Sequence, residues 1–177
     1  IKAKKWLTQV SLASIDRLEM DQLLVSWKLW DEQIDRVEIE IAKRQPKSET
    51  AAILATIPGC AAYGSLALAC RIDPVTRFAR PGSLPNYWGL TPRCRNSGEV
   101  TDRLGSITKE GSAMARFILG QLVVHVLRRD PWMKGWYGKI KRRRGAKIAC
   151  VAVMHRLAVI SQQMNSISSS DRPRQNF

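Results

Sequence analysis

The chain has 177 residues, enough for one ordinary core plus appendages, and its 45% hydrophobic content suits a globular protein. No apolar run approaches the ~18 residues a membrane helix needs, so a cytoplasmic chain with no membrane partner is expected. Lys and Arg number 29 against 15 acids, and eight of those acids lie between Asp16 and Glu40. From Ile41 onward 23 basic residues stand against seven acidic ones, which favours a polyanionic partner such as nucleic acid over a merely solubilising surface.

A chain that begins at Ile1, with no apolar segment after Ile-Lys-Ala-Lys-Lys, is expected to be a fragment or processed product without a signal peptide. Cys60, Cys70, Cys94 and Cys150 are irregularly spaced and form no zinc framework, so free thiols are expected. Met20, Leu23, Trp27, Trp30, Ile34, Val37 and Ile41 alternate intervals of three and four, the seam of a coiled coil. The spacing predicts one long helix over 14–45, ending before Pro46, because the residue before proline disfavours helix. Two tryptophans on the seam ask for a large partner surface, which favours a helix pair, within or between chains, over an ordinary amphipathic helix packed on its own domain.

After a polar linker, Ala51 to Ala67 reads as an apolar helix, a Pro58-Gly59 turn and a small-residue helix. This resembles a helix-hairpin-helix element, whose turn offers backbone N–H groups to phosphate, although Ala61 stands where a second glycine is usual. A purely structural helical hairpin fits the same pattern. Arg71 to Pro85 reads as turns with one short helical piece. Between Asn86 and Thr108, Glu99-Val-Thr and Leu104-Gly-Ser-Ile flank a polar turn and suggest a short β-hairpin.

Ser112 is a candidate N-cap for a core helix that carries Ala115, Ile118, Leu119, Leu122, Val123 and Val126. Asp130-Pro131 opens the next helix, with Trp132, Met133, Trp136, Tyr137 and Ile140 expected on its buried face. Lys139 to Lys147 holds six basic residues in nine, a natural phosphate-contacting cluster. Ala146 to Ile160 reads as the last core helix, and the Ser- and Gln-rich run after it as a disordered tail. The expected fold is mainly α. Its parts are a coiled-coil connector helix (1–46), a compact helical domain (47–162) with a helix-hairpin-helix-like element and a polar loop or short hairpin, and a tail (163–177).

The loop from Trp88 to Arg116 is polar yet sits between packed helices, where binding groups tend to collect. A serine such as Ser97 can attack a phosphodiester when donors stabilise the developing charge, and Arg93, Arg95, Arg103 and Lys109 could be those donors. On the residues alone, a phosphate-binding or turn-forming serine fits the loop at least as well.

Leu54 to Ile160 closely resembles the C-terminal transposase domain of insertion-sequence family 110, relatives of the Piv DNA invertase. The matching stretches are Ile57-Pro58-Gly59, Asp73-Pro74-x-x-Arg77-Phe78, Tyr87-Trp88-Gly89-Leu90-x-Pro92, Ser97-Gly98, Leu104-Gly105-x-Ile107-Thr108-Lys109-x-Gly111, Arg116 and Lys147-Ile-Ala-Cys-Val-Ala-Val. The resemblance implies transposition of DNA, with Ser97 as the nucleophile. Gly59, Arg93, Arg95, Arg103, Lys109, Arg116, Lys141, Arg142, Arg143, Arg144 and Lys147 are the expected DNA or phosphate contacts. It also implies dimerisation through the connector helix, a structured guide RNA in some members, and a divalent metal, Mg, in an N-terminal RuvC-like domain. That domain has no counterpart in this sequence, so no metal or cofactor is expected on the chain itself, and the fragment alone is expected to be inactive. Ser106 replaces a basic residue that many relatives carry before Ile-Thr-Lys. The polar tail departs from the family's apolar helix, as in a truncated copy. The competing expectations are a non-enzymatic nucleic-acid-binding module and a decayed transposase remnant.

Overall fold

A computed structural model describes residues 2–94 and 104–170. Among these the chain forms eight helices: α1 (Lys2–Gln9), α2 (Ser14–Arg44), α3 (Glu49–Leu54), α4 (Ala62–Ile72), α5 (Ser83–Tyr87), α6 (Ala113–Arg129), α7 (Pro131–Arg144) and α8 (Ala146–Ser170). One two-stranded antiparallel sheet, β1 (Pro92–Cys94) and β2 (Leu104–Ile107), stands between α5 and α6. The mainly helical fold with a short hairpin is as the sequence predicts. The chain divides into two compact units, 1–43 and 44–177.

In the first unit α2 is one unbroken helix of 31 residues with no buried position. Arg17 ties α1 to it by donating to the carbonyl oxygens of Leu7 (3.0 Å) and Val10 (3.4 Å). Lys4 sits 4.3 Å from the centroid of the Trp27 ring and pairs with Asp31, which also accepts from Trp27 Nε1 at 3.2 Å. Leu23, Trp30, Ile34 and Val37 of the seam stay exposed.

In the second unit the core gathers Leu54, Leu68, Ile72, Leu84, Trp88, Leu90, Leu119 and Val153, all essentially out of solvent. Helix starts follow capping chemistry. Ser48 accepts from Ala51 N (3.2 Å), Ser112 from Ala115 N (3.1 Å) and Asp130 from Met133 N (3.0 Å), each satisfying an N–H that the first helical turn leaves open. Gly145, at φ +86°, separates α7 from α8.

Three expectations change. The hairpin pairs Pro92 with Ile107 and Cys94 with Leu104, so β2 lies where the sequence suggests but its partner is Pro92–Cys94. Glu99 to Thr101 falls outside the described residues. On α7 only Met133 is buried; Trp132 is 57% exposed. The last helix continues ten residues past Ile160, so 163–170 is helix rather than tail, and 171–177 lies outside the described residues. The reason is that the polar run is used inside. Gln162 donates through Nε2 to the carbonyls of Phe78 (2.8 Å) and Arg80 (2.7 Å), and its Oε1 accepts from Leu84 N at 3.3 Å. Ser161 donates to Leu157 O (2.8 Å), and Asn165 to Ser161 O (2.7 Å). Buried polar groups so paired sustain a helix that composition alone reads as disorder.

Candidate functional site

The hairpin hangs from a crossing of two backbone segments, 86–91 and 108–112. Gly89 (φ +65°) and Gly111 (φ +77°) make the crossing close enough to exclude side chains. A Cβ on Gly89 would lie 2.1 Å from Glu110 O, and one on Gly111 2.0 Å from Tyr87 O. Lys109 also takes a left-handed conformation, φ 57°, which a non-glycine residue adopts at a cost and only when its surroundings demand it. Its N–H donates to Gly89 O (3.1 Å), and Thr108 N to Thr91 O (2.9 Å), continuing the ladder below the strands. The Trp-Gly-Leu and Thr-Lys-x-Gly stretches, apart in the chain, are the two halves of one interlocked base.

Arg116, on the first turns of α6, reaches into that base. Its Nη1 donates to the carbonyls of Trp88 (3.0 Å), Glu110 (3.1 Å) and Gly111 (3.4 Å). One guanidinium nitrogen therefore ties both halves of the crossing to α6, and Arg116 holds the loop from behind. Trp88 forms the buried floor, and its Nε1 has no hydrogen-bond acceptor among the described residues. Arg93 on β1 donates to Thr108 O at 2.8 Å across the hairpin and is otherwise exposed, as is the Lys109 side chain. Arg93 and Lys109 are thus the exposed cations at the hairpin base. Ser97, Arg95 and Arg103, which complete the predicted set, lie outside the described residues.

The other predicted contacts sit elsewhere. Gly59, φ +87°, packs against His125 of α6, where a Cβ would lie 2.5 Å from the ring Cγ, so close packing accounts for the glycine. Lys141, Arg142, Arg143 and Arg144 fill the last turn of α7, where cations suit the negative helix end, and Lys147 begins α8; all are exposed. Among the described residues no hydrogen bond or ion pair joins this cluster to the hairpin.

Two positioning arginines are not among the predicted contacts. Arg71 donates from Nε to Ser112 Oγ (2.9 Å) and from Nη1 to Ala67 O (2.8 Å), fixing the α6 N-cap against α4. Arg77 donates to Arg71 O (3.0 Å) and lies 4.8 Å from the ring centroids of both Phe78 and Tyr87, the residue beside the Trp88 floor. The Arg77-Phe78 pair of the resemblance was the available signal, but nothing local in the sequence says that its target is Tyr87.

Among the described residues no group of three or more His, Cys, Asp or Glu side chains is placed to hold a metal ion. Burial pushes the Cys60 thiol up to about 11, which leaves it protonated at neutral pH and unsuited to nucleophilic attack. No helix of the described residues is long and apolar enough to cross a membrane.

Residues 51–138, from α3 through most of α7, match the family model described as Transposase IS116/IS110/IS902 family. A transposase for insertion sequence element IS1111A from Coxiella burnetii (strain RSA 493 / Nine Mile phase I) is 30% identical over 134 residues, covering 73% of this chain and 36% of that protein. A putative transposase, y4qE, from Sinorhizobium fredii (strain NBRC 101917 / NGR234) is 34% identical over 88 residues, covering 48% of this chain and 22% of that protein. The chain thus spans about a third and about a fifth of the length of these two relatives. With the Trp-Gly-Leu and Thr-Lys-x-Gly halves of the hairpin base both inside the matched span, the chain belongs to the IS116/IS110/IS902 family of transposases.

Proposed function

We propose that the second unit is the DNA-binding, nucleophile-bearing domain of a transposase, in which Ser97 attacks a DNA phosphodiester. The observation that carries this reading is the locked hairpin base. Gly89, Gly111 and Arg116 fix the backbone of the two segments that flank 95–103 in the chain, and a fixed support is what a nucleophile that must meet phosphorus in line requires. In the step, the Ser97 Oγ–P bond forms as the bond from phosphorus to a deoxyribose oxygen breaks. The hydroxyl proton passes, on balance, to the departing sugar oxygen, and the ester so formed keeps the DNA end for rejoining. Arg93 and Lys109, both exposed at the base, together with Arg95 and Arg103 of the same loop sequence, would neutralise the non-bridging oxygens. The Lys141 to Lys147 cluster supplies further backbone contacts to DNA. The exposed α2 seam favours a homo-oligomer, and a structured RNA is a further candidate partner.

The test is strand transfer by the complete transposase carrying this domain, with Ser97→Ala and Ser97→Cys. Loss of recombination and of the covalent protein–DNA adduct in Ser97→Ala, with DNA affinity retained, is the expected result. Undiminished recombination overturns the nucleophile. Salt-sensitive DNA binding without an adduct in any variant would instead support a binding module that does no chemistry.

A further inference from the structure

The helix pair α7–α8 carries a surface that the hairpin chemistry does not use. Trp132 and Trp136, one turn apart on α7, stack with planes 9° from parallel and centroids 6.4 Å apart. Arg156 of α8 lays its guanidinium over both, 4.4 Å from the Trp132 centroid and 5.3 Å from that of Trp136. Closing the seam between two helices does not account for this cluster, because seam residues are buried, as Met133 is, and Trp132 remains more than half exposed. A groove of about 560 Å³, within the size range of ligand sites, opens beside it and is lined by Trp136, His155, Arg156, Ile160 and Gln163 among others.

The charge around the platform has one sign. Lys139 and Arg143 follow Trp132 and Trp136 at helical spacing on the same face of α7, and both are exposed. At 1.5 Å per residue, Trp132 and Arg143 lie about 16 Å apart along the helix. No Asp or Glu occurs between Pro131 and Ser170, so nothing on either helix neutralises this stripe. An exposed ring, Trp132, backed by the half-buried Trp136 and leading into a row of cations, matches the two parts of an unpaired nucleotide. A base whose π-face is free stacks on the ring, and its phosphodiester meets the charge. In a duplex those faces are already covered by neighbouring base pairs.

We infer that α7–α8 binds an unpaired stretch of nucleic acid, one base stacking on the Trp132–Trp136–Arg156 platform while Lys139 and Arg143 take the phosphates. The inference rests on the proposed function only for the class of ligand; Ser97 and the hairpin take no part. Unpaired DNA and RNA share this chemistry, and the experiment separates them.

The experiment is fluorescence anisotropy of the 177-residue chain with a labelled unstructured oligodeoxynucleotide, the matching oligoribonucleotide and a blunt DNA duplex. Trp132→Ala weakens single-strand binding about tenfold or more, Trp132→Phe retains most of it, and duplex affinity changes little. Lys139→Gln with Arg143→Gln lowers the single-strand salt slope by one to two, a readout that a folding defect does not mimic. The strand type that suffers more identifies the source of the ligand. Equal losses on the duplex, or single-strand affinity unchanged in Trp132→Ala, overturns the inference. So does loss of self-association in Trp132→Ala without loss of single-strand binding, since the platform would then seat a second copy. If wild type binds duplex but Trp132→Ala leaves single-strand affinity untouched, only this inference fails. If wild type binds no nucleic acid at all, the proposed function fails with it.

Discussion

Gly111→Ala is the sharpest test of the interlocked hairpin base. An alanine at φ +77° costs about 1 kcal/mol in the left-handed region. Its Cβ would also sit 2.0 Å from Tyr87 O, where real Cβ contacts do not fall below 3.0 Å. Because the obstacle is backbone, the two segments must part by about 1 Å, which carries the Lys109 N–Gly89 O bond of 3.1 Å and the Arg116–Trp88 O bond of 3.0 Å out of range. Losing these adds roughly 2 kcal/mol, the guanidinium bond being the stronger. The expected destabilisation is about 3 kcal/mol, a fall in Tm of about 10 °C for a unit of this size. Differential scanning calorimetry reads it. Gly135→Ala and Gly138→Ala serve as controls, since both lie within α7 with nothing within 4 Å of the added Cβ. Each control should be neutral or stabilise by up to about 1 kcal/mol through helix propensity. A Gly111→Ala protein as stable as wild type would refute the close crossing.

Arg116→Met leaves three carbonyls without their shared donor and should cost about 2–3 kcal/mol in urea unfolding, while the salt slope of DNA binding stays unchanged because Arg116 faces the loop backbone. Gln162→Leu keeps the volume but strands Phe78 O, Arg80 O and Leu84 N, with an expected loss of about 2–4 kcal/mol, whereas Gln163→Leu on the exposed side is near neutral by the same measurement. Burial lowers the His155 pKa from 6.5, so the unfolded chain binds the proton first; stability from this group is complete above pH 6.5 and is lost as pH falls through the folded value. In a pH series of denaturation midpoints, His155→Gln should show a shallower decline over that window than wild type.

What the sequence discloses here depends on how local the cause is. Ser112, Asp130-Pro131 and the long α2 are readable because a cap or a heptad acts over three to seven residues. The strand at Pro92–Cys94 is not readable, since its pairing with Leu104–Ile107 is set by the crossing at Gly89 and Gly111 rather than by any β-propensity of Pro-Arg-Cys. Gln162 is lost to inspection for the same reason. Its partners, Phe78, Arg80 and Leu84, lie about eighty residues away, so its polarity reads as solvent exposure until the tertiary contacts are known. At the candidate site, Arg93 and Lys109 are visible as cations in a loop. The task of Arg116 is not, because a sequence shows that an arginine is charged and not that three carbonyls converge on it.

Several departures from low-energy structure in the second unit gather in one place. A left-handed lysine at 109, two glycines whose added Cβ would meet backbone within about 2 Å, and a buried tryptophan N–H without an acceptor among the described residues all meet at the base of one hairpin. The core beneath draws on contacts among α3, α4, α6 and α8 and takes in Trp88 and Leu90 from this base. Strain of this kind persists only where surrounding interactions over-determine it, and here the surroundings are specific: Arg116 from α6, and the Arg77 stack against Tyr87. Local rules broken together, and held from behind by arginines, mark a place where geometry is kept for a purpose other than stability. The surface at Trp132 has the opposite character, open and more than half exposed, and under the functions proposed above that contrast would give positioning to the hairpin and capture to the α7–α8 face.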